Sequence, residues 1–150
     1  MTYVNPNPPF GSPNAPFIAN RVADMLQGKL EQPKINSIVT ALETPTSSVY
    51  PANATFISLI FYFRVVCNIN GGKSFGGNAG GLGLPTGGTS LGNVFTNDLE
   101  RLYQKTDGFS FESAPGFLGI QFFDAQHNLL GHYDGGSIGL AAIGGGQGGW

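Results

Sequence analysis

From residue 54 to residue 70 the chain alternates with a period of two. Ile57, Leu59, Phe61, Phe63, Val65, Cys67 and Ile69 are apolar at every second position, and Phe56, Ser58, Ile60, Tyr62, Arg64, Val66 and Asn68 fill the positions between. Side chains of an extended strand point alternately to opposite faces, so this period commits the segment to β structure with one buried side. Seven in-facing residues in succession predict one long strand, bent or continuing between two parts of a barrel. The run is too short for a membrane-spanning helix and contains Arg64.

The neighbouring segments extend this pattern. Residues 1–16 are rich in proline and asparagine without apolar periodicity, which predicts an extended or disordered arm. A single domain is expected over 17–150. At its start Ile18, Val22, Met25, Leu26 and Leu30 fall on one face of a helix over 17–31, with Asn14 and Pro16 suited to its beginning and Pro33 ending it. Its polar face carries Arg21 and Lys29 opposed by Asp24 and Glu31, which favours docking on the domain over a membrane-surface role. Residues 34–43 alternate as a strand, and 44–53 read as a turn-rich connection. Short strands are expected at 74–78, 81–84 and 90–95. A second helix is expected over about 96–106, with Asn97 as N-cap, Glu100 three residues on, and Gly108 as its stop. FSFE at 109–112, then 117–123 and 129–133 around the polar loop 124–128, and finally 137–143 complete about eight strands. The fold class is mainly β, a closed eight-stranded antiparallel β-barrel or a sandwich.

Charge narrows the function classes. Charged residues make up 11% of the chain, net charge is −2, and the seven Lys and Arg are scattered. Neither nucleic acid nor a polybasic membrane anchor fits that distribution. The single cysteine, Cys67, excludes an intrachain disulfide framework and lies in the alternating run, which predicts a buried thiol. The start of the sequence shows no charged segment followed by an apolar one, so no signal peptide is visible.

Two glycine motifs imitate nucleotide sites. Gly72-Lys73-Ser74 resembles the end of a phosphate-binding loop, yet the required first glycine position holds Cys67 and no helix pattern follows. Gly144, Gly146 and Gly149 fit the dinucleotide spacing without a following helix. No nucleotide and no cofactor is therefore expected. Asn53-Ala54-Thr55 matches a glycosylation acceptor, a triplet frequent by chance. His127 and His132 with Asp124 and Asp134 are the candidates for catalysis. His132 and Asp134 share one strand face, but no nucleophile elbow, positioned cysteine or zinc spacing accompanies them. No catalytic or metal residue is assigned. Tyr103, His127, His132, Tyr133 and Trp150 are the candidates for a binding surface, and Tyr62 joins the tyrosines and Trp150 as a possible stacking platform.

Four phrases, NAGGLGLP at 78–85, LGNVFTNDLERLYQKT at 91–106, FLGIQFFDAQHNLLGH at 117–132 and GGSIGLAAIGGGQGGW at 135–150, together resemble the virulence-associated (Vap) proteins of Rhodococcus-type actinobacteria. The resemblance spans about half the chain in order and spacing. It implies a compact, closed eight-stranded barrel with a short helix and no deep substrate pocket. It further implies a secreted or cell-surface effector that acts on host endolysosomal membranes, with no enzymatic residues to carry over, and the expectation is a monomer acting on host or competitor membranes or trafficking. Members usually carry a signal peptide. The rival expectation is a lectin-like or protein-binding barrel engaging a host surface component. A third is a small-ligand or enzymatic barrel built around His132 and Asp134, which needs a pocket beside them.

Overall fold

The computed structural model describes residues 10–80, 86–139 and 141–150. Among them lie eight strands and three helices: α1 (Ala15–Leu26), α2 (Gln32–Glu43), β1 (Ser48–Ser58), β2 (Tyr62–Ile69), β3 (Ser74–Gly80), β4 (Thr86–Thr96), α3 (Leu99–Lys105), β5 (Gly108–Ala114), β6 (Phe117–Phe123), β7 (Leu129–Gly135) and β8 (Ala142–Gly149). The strands close into an antiparallel barrel in the order β1-β2-β3-β8-β5-β6-β7-β4. Read from β4, that order is 4-1-2-3 followed by 8-5-6-7. Each half is a Greek key, three hairpin-linked strands with the fourth returning beside the first. Of the expected arm over 1–16, residues 1–9 lie outside the described residues, as does the expected strand over 81–84, whereas Phe10 bridges to Thr46 and Ala15 and Pro16 already belong to α1.

The long strand expected over 54–70 is instead a hairpin. Ser58 pairs with Phe63 and Ala52 with Ile69. Paired positions have opposite parity, so the inward set changes from Ala52, Ala54, Phe56 and Ser58 on β1 to Phe63, Val65, Cys67 and Ile69 on β2. Ile57, Leu59 and Phe61 keep the periodicity of β2 but fall on the outside. The supposed connection before it is already β1 from Ser48 onward.

Three further expectations change. Residues 34–43 form α2, with Pro33 in its first turn rather than ending α1. The pattern over 34–43 needed Ser37 as an inward residue. The buried Ile35, Ile38 and Leu42 instead recur at helical spacing. Helix α1 ends at Leu26, because Gly28 with φ 79° turns the chain. The last strand is not 137–143 but β8, which consists largely of the glycines taken for a tail.

Those glycines have a packing reason. Two aromatic groups fill the barrel. In one, Phe56, Phe63 and Phe111 lie with ring centroids 5.1–5.5 Å apart. In the other, Phe75 meets Phe109 at 5.3 Å, Phe122 at 4.9 Å and Trp150 at 5.6 Å. A Cβ on Gly144 would stand 2.8 Å from the Phe111 ring, and one on Gly77 2.6 Å from Phe109. Glycine on β3 and β8 thus makes the room the rings occupy. Cys67 is buried among these residues, as expected. Burial pushes its thiol up to about 12, so it is an inert filler at neutral pH.

Helix α3 packs Leu102 into the end of the core near Tyr103 and Trp150. Its N-cap is Asp98, whose carboxylate accepts from the Arg101 N–H at 3.1 Å, one residue past the expected Asn97. Asn97 instead accepts from the Ser47 N–H at 2.7 Å. On the outside, α1 and α2 form a helical pair whose Ile18, Ala19, Val22, Ile38 and Leu42 pack on Ala114, Phe117 and Phe123.

Candidate functional site

The residues that could carry function fall in three places, two of them picked out in the sequence. His132 and Asp134 lie on the outer face of β7, but both are buried. Ser110, Glu112 and Gln121 from β5 and β6 are buried as well. Ser110 Oγ donates to Gln121 Oε1 at 2.5 Å, and Gln121 Nε2 donates to Glu112 Oε1 at 2.6 Å. Burial drives the Glu112 carboxyl well above its usual range, beyond what the Gln121 bond and the charge of Arg21 restore, while Asp134 adds to the rise. Burial thus favours the protonated form of Glu112, and its Oε2 has no partner. Gly119 allows the arrangement, since a Cβ there would overlap Glu112 Oε1.

His132 stacks on Phe95 with ring centroids 5.3 Å apart, and its Nδ1 is unpartnered. Burial lowers it to about 4 against the opposing charge of Asp134, so the imidazole is neutral. The bonds that hold Asp134 come from the N-terminal segment. It accepts from the Asn14 N–H at 2.9 Å, from Asn14 Nδ2 at 2.8 Å and from Ser12 Oγ. Asn14 therefore ties the chain to the barrel, and its side chain does not cap α1 as expected. The Asp134 bonds and an antiparallel bridge from Phe10 to Thr46 place residues 10–14 against the domain. This His–Asp pair is packing under a lid of chain.

The remaining sequence candidates are placed differently. Tyr133 points into the core, and its hydroxyl meets Ser90 Oγ at 2.8 Å. As surface residues, Tyr133 and His132 are corrected by their burial. Tyr103 and Trp150 lie 5.3 Å apart and close the barrel end. The Tyr103 hydroxyl accepts from the Lys73 N–H at 3.1 Å, and Trp150 Nε1 donates to Thr106 at 3.2 Å. Their rings are committed to the fold. His127 is exposed in the turn 124–128 at φ 64° and lines a cleft with Met25, Lys29, Asp107 and Gln147. Asp124 organises that turn, accepting from the Gln126 and Asn128 N–H groups at 2.9 and 2.8 Å. Among the described residues no group of three His, Cys, Asp or Glu is arranged to hold a metal.

The third place was missed by sequence reasoning, the apex of the β1–β2 hairpin. The Leu59 N–H donates to the Tyr62 carbonyl at 2.8 Å, leaving Ile60 and Phe61 as the turn. The Phe61 N–H donates to the Leu59 carbonyl at 2.8 Å, a γ-turn centred on Ile60 at φ 69°. Ile57, Leu59, Ile60, Phe61 and Tyr62 are all exposed, Phe61 by 73% and Leu59 by 58%. No break in the alternation marks it, because Leu59 and Phe61 keep the parity of Ile57.

Comparison with known proteins was then informative. Residues 11–150 match the family described as Rhodococcus equi virulence-associated protein. The structure is similar to virulence-associated protein VapB from the intracellular pathogen Rhodococcus equi. The TM-score is 0.66 at 35% identity, covering 69% of this chain and 95% of that one. Virulence-associated protein VapD from the same organism gives a TM-score of 0.65 at 32% identity, covering 69% of this chain and 96% of that one. No curated protein matches the sequence.

Proposed function

The chain belongs to the Rhodococcus equi virulence-associated protein family, and from that premise we propose that it is a non-enzymatic effector, secreted or held at the cell surface, that acts on host endolysosomal membranes. The observation that carries the reading is the filled barrel. Phe56, Phe63, Phe75, Phe109, Phe111 and Phe122 occupy its interior in mutual ring contact. A β-barrel that holds a ligand does so in its mouth or lumen. With this lumen occupied by side chains, the working part is the outer surface. The His132 and Asp134 pair supports no reaction there, because His132 is buried and Asp134 is bonded to Ser12 and Asn14.

The test is release of an encapsulated dye from phospholipid vesicles at neutral and mildly acidic pH, beside a binding measurement on the same vesicles. Binding or leakage at either pH supports the reading. A folded protein that neither binds nor permeabilises vesicles at either pH overturns it, and a glycan array then addresses the lectin-like alternative.

A further inference from the structure

We propose that the β1–β2 apex is a lipid-inserting tip. Leu59, Ile60 and Phe61 enter the outer acyl region of a phospholipid bilayer, and Tyr62 and Arg64 lie at headgroup level. The assignment rests on the membrane reading above and adds the surface that carries it.

Shape is the first argument. The exposed apolar residues sit on a two-residue turn that projects from the end of a hairpin, not in a groove. A protein partner needs a preformed apolar pocket to receive such a tip, whereas a fluid bilayer forms its own. The backbone is the second argument. Two-residue hairpin turns favour Asn and Gly because they need positive φ, and a β-branched residue there is strained. Ile60 holds φ 69°. A turn that keeps strain to present an apolar side chain is arranged for contact, not for stability.

Charge is the third. From Thr44 to Asn97 the sequence contains no Asp or Glu, and its only basic residues are Arg64 and Lys73. All nine carboxylates belong to the helices and the second half of the barrel or to the loops beside them. The half that bears the tip therefore brings no acidic group toward phosphate headgroups. Just behind the apex, Tyr62 and Arg64 both reach Asn78, the arginine donating from Nη1 at 3.0 Å. An amphipathic tyrosine and an arginine below an apolar tip match the order of a membrane interface.

The tip touches the bilayer and the barrel does not span it. A spanning barrel turns an apolar band outward and polar residues inward. Here Asn53, Thr55, Arg64, Asn68 and Thr89 lie outside on β1, β2 and β4, and the interior is aromatic.

The test uses the full chain and vesicles of phosphatidylcholine with phosphatidylserine. A variant combining Leu59→Ser, Ile60→Gly and Phe61→Ser removes the apolar tip and puts glycine at the one turn position that holds positive φ, so its melting temperature stays at or above the parent's. Its vesicle-bound fraction is expected to fall about tenfold or more. A separate Phe61→Trp variant is expected to show a blue-shifted emission that is quenched by brominated acyl chains, while Trp150 at the opposite barrel end does not respond. If the triple variant binds as the parent does, the tip is overturned and the membrane reading stands. If the parent binds no vesicle, both fall. If the parent binds no vesicle but dimerises, and the triple variant does not dimerise, the apex is a contact between copies of the chain and the lipid assignment is overturned.

Discussion

The side-chain amide of Gln121 donates to Oε1 of Glu112 at 2.6 Å beneath the helical pair. That bond joins a neutral acid to the same outer face as the neutral His132, and the two groups set opposite pH slopes. Unfolded, Glu112 ionises above its ordinary value of 4.5, while in the fold it keeps its proton. Unfolded, His132 gains a proton below 6.5, while in the fold it stays neutral down to about 4.

Stability rises with pH where the unfolded chain binds more protons and falls where it binds fewer. Above 6.5 the folded state holds one extra proton on Glu112, so stability falls as pH rises. Below 4.5 the unfolded state holds one extra proton on His132, so stability falls as pH drops toward 4. Between those values the two differences cancel. The expected outcome is that stability changes least between 4.5 and 6.5, where the two groups oppose each other, and falls on either side of that range. Denaturant midpoints across that range check it. Glu112→Gln should flatten the alkaline flank and extend the acid decline up to 6.5; a Glu112→Gln profile identical to the parent's refutes the assignment.

At the apex, Ile60→Asn is expected to stabilise the protein by about 1 kcal/mol, because asparagine tolerates left-handed backbone that costs a β-branched residue more. Urea unfolding measures it. A loss of stability would show that the Ile60 side chain has packing that outweighs its backbone.

A methyl on β8 should open the barrel. The Cβ of Gly146→Ala would overlap the Asn78 carbonyl and lie 3.0 Å from the Ala79 Cα, which is backbone with no rotamer to yield. The expected cost is about 3 kcal/mol or more. Gly149→Ala, which meets nothing within 4 Å, is the control and should stay near the parent in thermal melts.

Asp134→Ala should release the N-terminal segment, since it removes the acceptor for the Asn14 N–H, Asn14 Nδ2 and Ser12 Oγ. Limited proteolysis is expected to cut within residues 10–14 of the variant while sparing the parent, with a stability loss of about 2 kcal/mol. Equal resistance in both would show that α1 alone holds the segment down.

The sequence showed the barrel more clearly than its surface. The 109–112 strand and the closing α3 were legible because alternation or a cap marks them, and 117–123 because it is a bounded apolar run. β8 was not, because a glycine strand has no side chains to show a period, and its fit is written in the phenylalanines opposite. The burial of Glu112 was not legible in the alternation of FSFE, and the unbroken burial of β6 on both faces explains it. FLGIQFF does carry that signal, since a run without alternation needs cover on its outer side as well. The apex was hidden by its own regularity. Parity through 57, 59 and 61 matched β2 so well that the reversal left no break to see.

The eighth strand lies between the third and the fifth. During synthesis both Greek keys therefore wait with unpaired edges until the glycines of β8 emerge, and neither half can seal itself earlier. The barrel stays open until β8 is in place. The fold locks only when its least bulky strand arrives.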